Sequence, residues 1–342
     1  MKNNLMERYA GFVSKNKMLS PDFETIPLIE RQNSFQYVGG QMIGRNLYSI
    51  VNSAEKMLKY SIPVGTMEFM GQFDDTDFKW TGGCAYQNIL YAFPRFADSL
   101  LAYDPRSDTF EEISCGFDYK KEHHYGGVCT SDGMIYQPPR NTDHILKWDI
   151  KNKTCKKIQI NNGSECRYCG SVIHPDGFIY FIPEKDFCVI KMDIYTEQIS
   201  YIGEPVSGMT FNPVVAADGN IYGFRVQNGI LKIDPSCDKV SIMYGNCNTG
   251  AYGTKNGING RLYSLPGYTN DIWEFDPLGD GLKKCGSVYG KYAVNYAGGA
   301  VDLNGDIYAL PVHADNILKI NFGKYGVRIP PDIYDAFFKD FY

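Results

Sequence analysis

A single period governs this chain. An apolar residue followed by tyrosine recurs at Leu47-Tyr48, Leu90-Tyr91, Ile135-Tyr136, Ile179-Tyr180, Ile221-Tyr222, Leu262-Tyr263 and Ile307-Tyr308, with intervals of 43, 45, 44, 42, 41 and 45 residues. Spacing this regular means one supersecondary unit repeated in space. A length of 342 residues would otherwise suggest two or three domains, but the repeat uses nearly all of it.

Every unit has the same internal order. Small residues open a first strand, as in Gly82-Gly83-Cys84-Ala85-Tyr86. A tight turn follows, written Asp132-Gly133, Asp176-Gly177, Asp218-Gly219, Asn259-Gly260 and Asn304-Gly305. These pairs tolerate positive φ, so a two-residue hairpin turn is expected at each. The second strand carries the apolar-Tyr pair and commonly ends in proline (Pro94, Pro139, Pro183, Pro266, Pro311), which cannot donate to a ladder. A third strand ends in Asp, often Asp-Pro, as in Leu101 to Pro105 and Lys232 to Pro235. That carboxylate can cap local backbone donors. A more polar fourth strand closes the unit, for example Thr109 to Ile113.

Four antiparallel strands in about 43 residues is the size of one propeller blade. No helical period is sustained across the repeats. The chain is therefore expected to be all-β, a seven-bladed β-propeller with four antiparallel strands per blade. Residues 22–330 form the ring, 1–21 an N-terminal segment, and 331–342 an aromatic, helical tail. Asp22 to Pro27 resembles a fourth strand and is expected to close the seventh blade. Tyr325 to Ile329 is the alternative. The tail stripe of Ile333, Tyr334, Phe337, Phe338 and Phe341 either packs on the ring or serves as a partner surface.

Gly82-Gly83 through Tyr103-Asp104-Pro105 to Ile113 resembles a kelch repeat, and Asp176-Gly177-Phe178-Ile179-Tyr180 resembles the Asp-Gly-x-Ile-Tyr propeller repeats of microbial proteins. The resemblance covers roughly residues 36 to 330 and implies fold far more than activity. Such propellers host lyases, epimerases, oxidases and binding scaffolds. The fifth unit departs from the pattern, with Asn212-Pro213 in place of the double glycine.

The net charge of −5 gives no basic footprint for nucleic acid. No run approaches the ~20 apolar residues of a membrane span, and the first residues lack a signal-peptide core. No membrane partner is expected, and the expected location is the cytoplasm. Ten cysteines are present, several of them (Cys84, Cys129, Cys155, Cys188, Cys285) on strands, where they are expected to behave as small apolar residues. Cys166-x-x-Cys169 lacks a second ligand pair, and Asp74-Asp75-Thr76-Asp77 lacks the glycine and distal glutamate of a calcium loop. No metal and no cofactor is expected.

Ring geometry gathers two loop sets on one face, those leading into first strands and those joining second to third strands. The lead-in loops supply Tyr37, Trp80, Tyr125, Tyr168, Phe211, Tyr252 and Tyr296; each either rims the mouth or packs between blades. The other loops bring Arg95, Arg140, Glu184, Lys185, Arg225 and His313. Convergence of these arginines implies an anionic ligand. The expected ligand is small and anionic or sugar-like, or else a peptide or protein partner. The alternative is an enzyme of epimerase, mutarotase or lyase type acting on an anionic sugar, comparable to kelch-like sialate epimerases. His124, His313 and Glu184 are its candidate acid–base groups. No complete catalytic motif is present, which favours binding.

Overall fold

The computed structural model describes residues 2–32, 35–114, 116, 123–161, 166–279, 281–288 and 294–339. Its strands form seven four-stranded antiparallel sheets and one short two-stranded extension. The blades occupy residues 37–70, 80–114, 128–159, 168–206, 214–248, 251–287 and 296–321, the last joined by 22–27. The two-stranded extension pairs His123–His124 with Pro139–Arg140 beside the third blade.

The N-terminal strand closes the ring. Asp22–Pro27 runs antiparallel to Asn316–Asn321, from Asp22 opposite Asn321 to Pro27 opposite Asn316. Residues Gly323–Tyr325 form a 3-10 turn, so the alternative closing strand is not used. Lys324 Nζ lies 2.6 Å from Asp22, and Lys319 Nζ lies 3.0 Å from Asp306. Pairing first and last strands covers the edge of Asn316–Asn321 and ties the two chain ends into one blade.

The seven motif tyrosines are all buried, from 0% exposure at Tyr180 and Tyr263 to 6% at Tyr91. In two blades the motif spacing has a direct cause. Tyr180 donates its hydroxyl to Asp176 Oδ2 and Tyr222 donates to Asp218 Oδ2, both at 2.8 Å. The second oxygen of each Asp accepts the N–H two residues on, from Phe178 and from Asn220. Asp-Gly-x-Ile-Tyr is therefore a turn cap and a buried-hydroxyl acceptor in one. At the same end of the sheet, Asp104, Asp149, Asp193, Asp234 and Asp276 accept backbone N–H groups just downstream, as their turn-opening role requires.

The Asp-Gly and Asn-Gly hairpins differ from the expected two-residue turn. Only the glycine takes positive φ, +89° at Gly133 and +98° at Gly177. Its N–H donates three residues back, from Gly133 to Thr130 O and from Gly177 to His174 O, both at 3.0 Å. These are three-residue loops, a type I turn closed by left-handed glycine. The second blade, without such a glycine, makes the two-residue turn, with φ of +51° at Gln87 and +63° at Asn88.

Inner strands approach one another closely. A Cβ on Gly83 would sit 2.5 Å from Tyr91 O and 2.7 Å from Ile50 Cδ1 of the preceding blade. Gln41 donates from the first blade to Gly83 O of the second at 2.8 Å, and Gln137 from the third to Pro94 O at 3.1 Å. Cys84, Cys129, Cys166 and Cys169 are free and buried, whereas Cys155 is disulfide-bonded, a correction to its expected apolar role. It lies on the outer strand Thr154–Gln159, partly buried against the core of the second and third blades.

The terminal segments cover the end of the channel opposite the strand-joining loops. Helix Lys2–Asn16 lays Tyr9 on Phe337, with ring centroids 4.1 Å apart, and edge-on to Phe338. Asn256 donates to Phe337 O at 2.7 Å, and Tyr334 donates to Val301 O at 2.7 Å. The tail thus packs on the ring through residue 339; Phe341 lies outside the described residues. No helix among the described residues is long and apolar enough to cross a membrane.

Candidate functional site

Both loop sets meet on one face, tied by a repeated backbone bond. In six blades a residue one or two places after the second strand donates to a lead-in loop: Asn52 to Gln36 O, Arg95 to Lys79 O, Glu184 to Arg167 O, Val226 to Met209 O, Tyr268 to Gly250 O and Val312 to Asn295 O, all within 2.7–3.0 Å. Side chains of these residues and of the lead-in loops are therefore fixed around the channel mouth.

Aromatic rings close that mouth. Tyr125 of the third blade and Tyr252 of the sixth meet hydroxyl to hydroxyl at 2.5 Å. Phe211 stacks on Tyr252 at 4.2 Å, and Tyr125 lies 5.5 Å from Phe211. All three are nearly buried, at 2%, 8% and 1% exposure for Tyr125, Tyr252 and Phe211. Beyond this floor, His313 contacts Phe35 at 4.5 Å and Phe35 contacts Phe78 at 5.3 Å. Tyr268, half-exposed, stacks on Tyr252 from the other side. Phe35 and Phe78 hold φ of +54° and +59°. A bulky side chain rarely adopts that left-handed backbone, and such strain clusters at ligand sites.

The expected cations separate by environment. Arg95 lies over three rings, 4.4 Å from Phe78, 4.9 Å from Tyr125 and 5.2 Å from Phe96. It has no carboxylate partner among the described residues. Arg140 also lies over Tyr125, at 4.7 Å, but faces Glu184. Its Nη2 donates to Oε1 at 3.3 Å, and Nη1 lies 2.8 Å from Oε2 without hydrogen-bond alignment. Burial opposes the Arg140 charge, but Tyr125 and Glu184 outweigh it and hold the guanidinium above its ordinary pKa. Cys169 lies close to this pair, and burial pushes its thiol up to about 12. Arg225 turns back to donate to Asn228 O at 2.7 Å and to Ser207 O, and burial lowers its pKa. Lys185 is exposed.

The remaining candidates are dispersed. Trp80 donates to Ser99 O at 2.9 Å and Tyr168 to Cys188 O at 3.0 Å, both buried within their own blades. Tyr296 is likewise buried and donates to Asn316, and Tyr37 is wholly buried among first-blade side chains. Register explains the split: Tyr37, Trp80, Tyr168 and Tyr296 each begin a first strand opposite the end of the second. Tyr252 sits one residue further on than Ala251, which holds that place in the sixth blade. His124 is buried with its ring 5.2 Å from His144, while His313 Nδ1 is 2.6 Å from Val294 O. Glu184 faces Arg140, whose strand Pro139–Arg140 pairs with His123–His124.

Phe35, Phe78, Phe96 and Tyr268 were not among the sequence candidates. The signal for two of them was present: Phe35-x-Tyr37 and Phe78-x-Trp80 repeat, with the first ring in the loop and the second in the strand. In the acidic loop, Lys79 Nζ donates to Asp74 O at 2.9 Å and Thr76 O at 2.8 Å, filling its interior with an ammonium. No group of three or more His, Cys, Asp or Glu gathers for a metal among the described residues. A groove of about 1060 Å³ lies on the opposite face, lined by turns of the second to fourth blades and by terminal residues. Its charges are satisfied within the protein: Lys147 donates to Glu197 at 2.6 Å, and Glu197 also faces Lys156. At the mouth, Arg95 has no carboxylate partner among the described residues.

No protein-family description and no curated protein matches the sequence. Solved structures do. A streptogramin B lyase superposes with a TM-score of 0.74 at 13% identity, over 89% of this chain and 99% of that one. A virginiamycin B lyase from Staphylococcus aureus, solved as a catalytically inactive histidine-to-alanine variant with quinupristin, gives 0.75 at 11% identity over 89% and 100%. The hydrazine synthase of Kuenenia stuttgartiensis gives 0.65 at 15% identity over 86% and 97%. The chain is a seven-bladed β-propeller. Identities this low establish the architecture alone, and the kelch resemblance has no family match behind it.

Proposed function

We propose that this propeller is a recognition module whose mouth binds a small anionic ligand through Arg95. The observation that carries this reading is a guanidinium held over three rings with no carboxylate partner among the described residues. Stacking uses the π faces of a guanidinium and leaves its in-plane N–H fork for a carboxylate or phosphate. The strained backbone of Phe35 and Phe78 supports a ligand at the same place. A sugar-like or peptide ligand carrying an anionic group fits this reading.

The enzyme reading draws on the streptogramin B lyase likeness and on His313 at the mouth. Against it stands the lack of a complete catalytic motif in the sequence. A thermal-shift screen of sugar acids, amino acids, nucleotides and phosphates tests the proposal, because a ligand that binds only the folded state raises Tm. Arg95→Ala is expected to erase any anion-dependent shift and Arg225→Ala to preserve it. A shift that survives Arg95→Ala removes the mouth as the site. Recovery of the ligand chemically altered after incubation, with the alteration lost in His313→Ala, replaces binding with turnover.

A further inference from the structure

We infer that the ligand of the mouth is a planar aromatic monocarboxylate. The inference rests on the reading above and narrows it by charge count, polarity and shape.

Arg95 is the guanidinium that lies over the mouth rings without a carboxylate partner among the described residues, and Lys185 is exposed in the same loop set. Arg140 and Glu184 face each other and contribute no net charge. Arg225 is turned toward the carbonyls of Ser207 and Asn228. A single carboxylate matches the Arg95 guanidinium, whose neighbour Arg140 is already paired with Glu184.

Polarity argues against a sugar. Discrimination of a polyhydroxylated ring needs several convergent donors and acceptors. The floor hydroxyls of Tyr125 and Tyr252 are hydrogen-bonded to each other, and His313 Nδ1 is held at Val294 O. What the mouth offers around Arg95 is ring surface. Phe78 and Phe96 flank the guanidinium, and Phe35 extends the surface at 5.3 Å from Phe78. A flat arene carrying a carboxylate places its anionic group in the plane of the Arg95 fork and its ring against these phenyl faces and edges.

The test is isothermal titration of the full chain with benzoate, indole-3-acetate, acetate, glucuronate and inorganic phosphate, with benzyl alcohol as the uncharged control. Native protein is expected to bind the aromatic carboxylates about 10-fold or more tightly than acetate or glucuronate and to ignore benzyl alcohol. Arg95→Ala is expected to weaken them about 10- to 100-fold, with Tm confirming an intact fold. Phe78→Leu is expected to weaken benzoate about threefold and leave acetate unchanged, a split that simple unfolding would not produce. Glucuronate or phosphate binding best, and losing affinity in Arg95→Ala, overturns the aromatic class while the mouth reading stands. No Arg95-dependent binding of any of these anions overturns both.

Discussion

Both ends of the channel are closed by aromatic rings, but by different parts of the chain and with different consequences. At the turn face, Tyr9 from the first helix and Phe337 with Phe338 from the tail form the closure, so the two chain ends hold each other in place. Backbone carbonyls there are claimed by Asn256 and Tyr334. At the mouth, Tyr125, Phe211 and Tyr252 come from three separate lead-in loops, and one guanidinium beside them has no carboxylate partner among the described residues. The turn-face closure is built as core, and the mouth retains unsatisfied charge on a rigid aromatic bed. The lesson is that burial of rings locates packing, while the state of the nearby charges locates function.

The largest expected effect falls at the turn face. Phe337→Ala removes the ring stacked on Tyr9 and should destabilise the protein by about 3–5 kcal/mol in chemical denaturation. A loss below 1 kcal/mol would mean that the tail is not part of the core. Next comes the ion pair at the mouth. Glu184→Ala leaves Arg140 mostly buried without its partner and should cost about 3 kcal/mol, whereas Arg140→Met combined with Glu184→Leu should recover most of it. Equal losses in single and double variants would show that the pair does not act as a unit.

A third prediction concerns the turn face of the seventh blade, where the charges are not all at ease. Burial, followed by the Asp306 carboxylate, raises the pKa of Asp302 to about 6. Because this carboxyl holds its proton more tightly when folded, it costs nothing below the unfolded pKa near 4. Stability falls as pH rises from about 4 to about 6, and the full cost persists above. Asp302→Asn keeps the oxygen that accepts from Asn304 and Asp306 N–H and should stabilise by about 2 kcal/mol at pH 7 but not at pH 3.5. A gain independent of pH would assign the effect to packing instead. Smaller still, Tyr222→Phe should cost about 1 kcal/mol through its lost bond to Asp218. The smallest effect on stability is expected from Arg95→Ala, within about 0.5 kcal/mol. That same substitution should produce the largest loss of anion binding, so stability and binding scans should rank the two faces in opposite orders.

The fold was largely legible because it is written seven times. The tyrosine spacing defined the blades, the Asp and proline signals marked strand ends, and the likeness of Asp22 to Pro27 to a fourth strand pointed to the closure. The turn type was misread, since Asp-Gly and Asn-Gly suit either a two-residue turn or a type I turn with left-handed glycine. The site was legible only to the level of which loops face the mouth. Arg95, Arg140, Glu184 and Arg225 occupy equivalent places after successive second strands, so neighbours on the ring had to compete for one another. Which of them remained uncommitted depended on side-chain reach.

The sequence by itself determined the number of blades, their strand order and the loops that gather at the mouth, because each follows from local spacing repeated along the chain; the ring seam was left between two segments until the structure paired Asp22–Pro27 with Asn316–Asn321. Only the tertiary structure decided that Tyr37, Trp80, Tyr168 and Tyr296 pack inside the ring while Tyr125 and Tyr252 meet across its centre. It also decided that Arg140 pairs with Glu184 while Arg95 has no carboxylate partner among the described residues. Those outcomes depend on distances between residues of different blades, and closing the ring is what sets such distances.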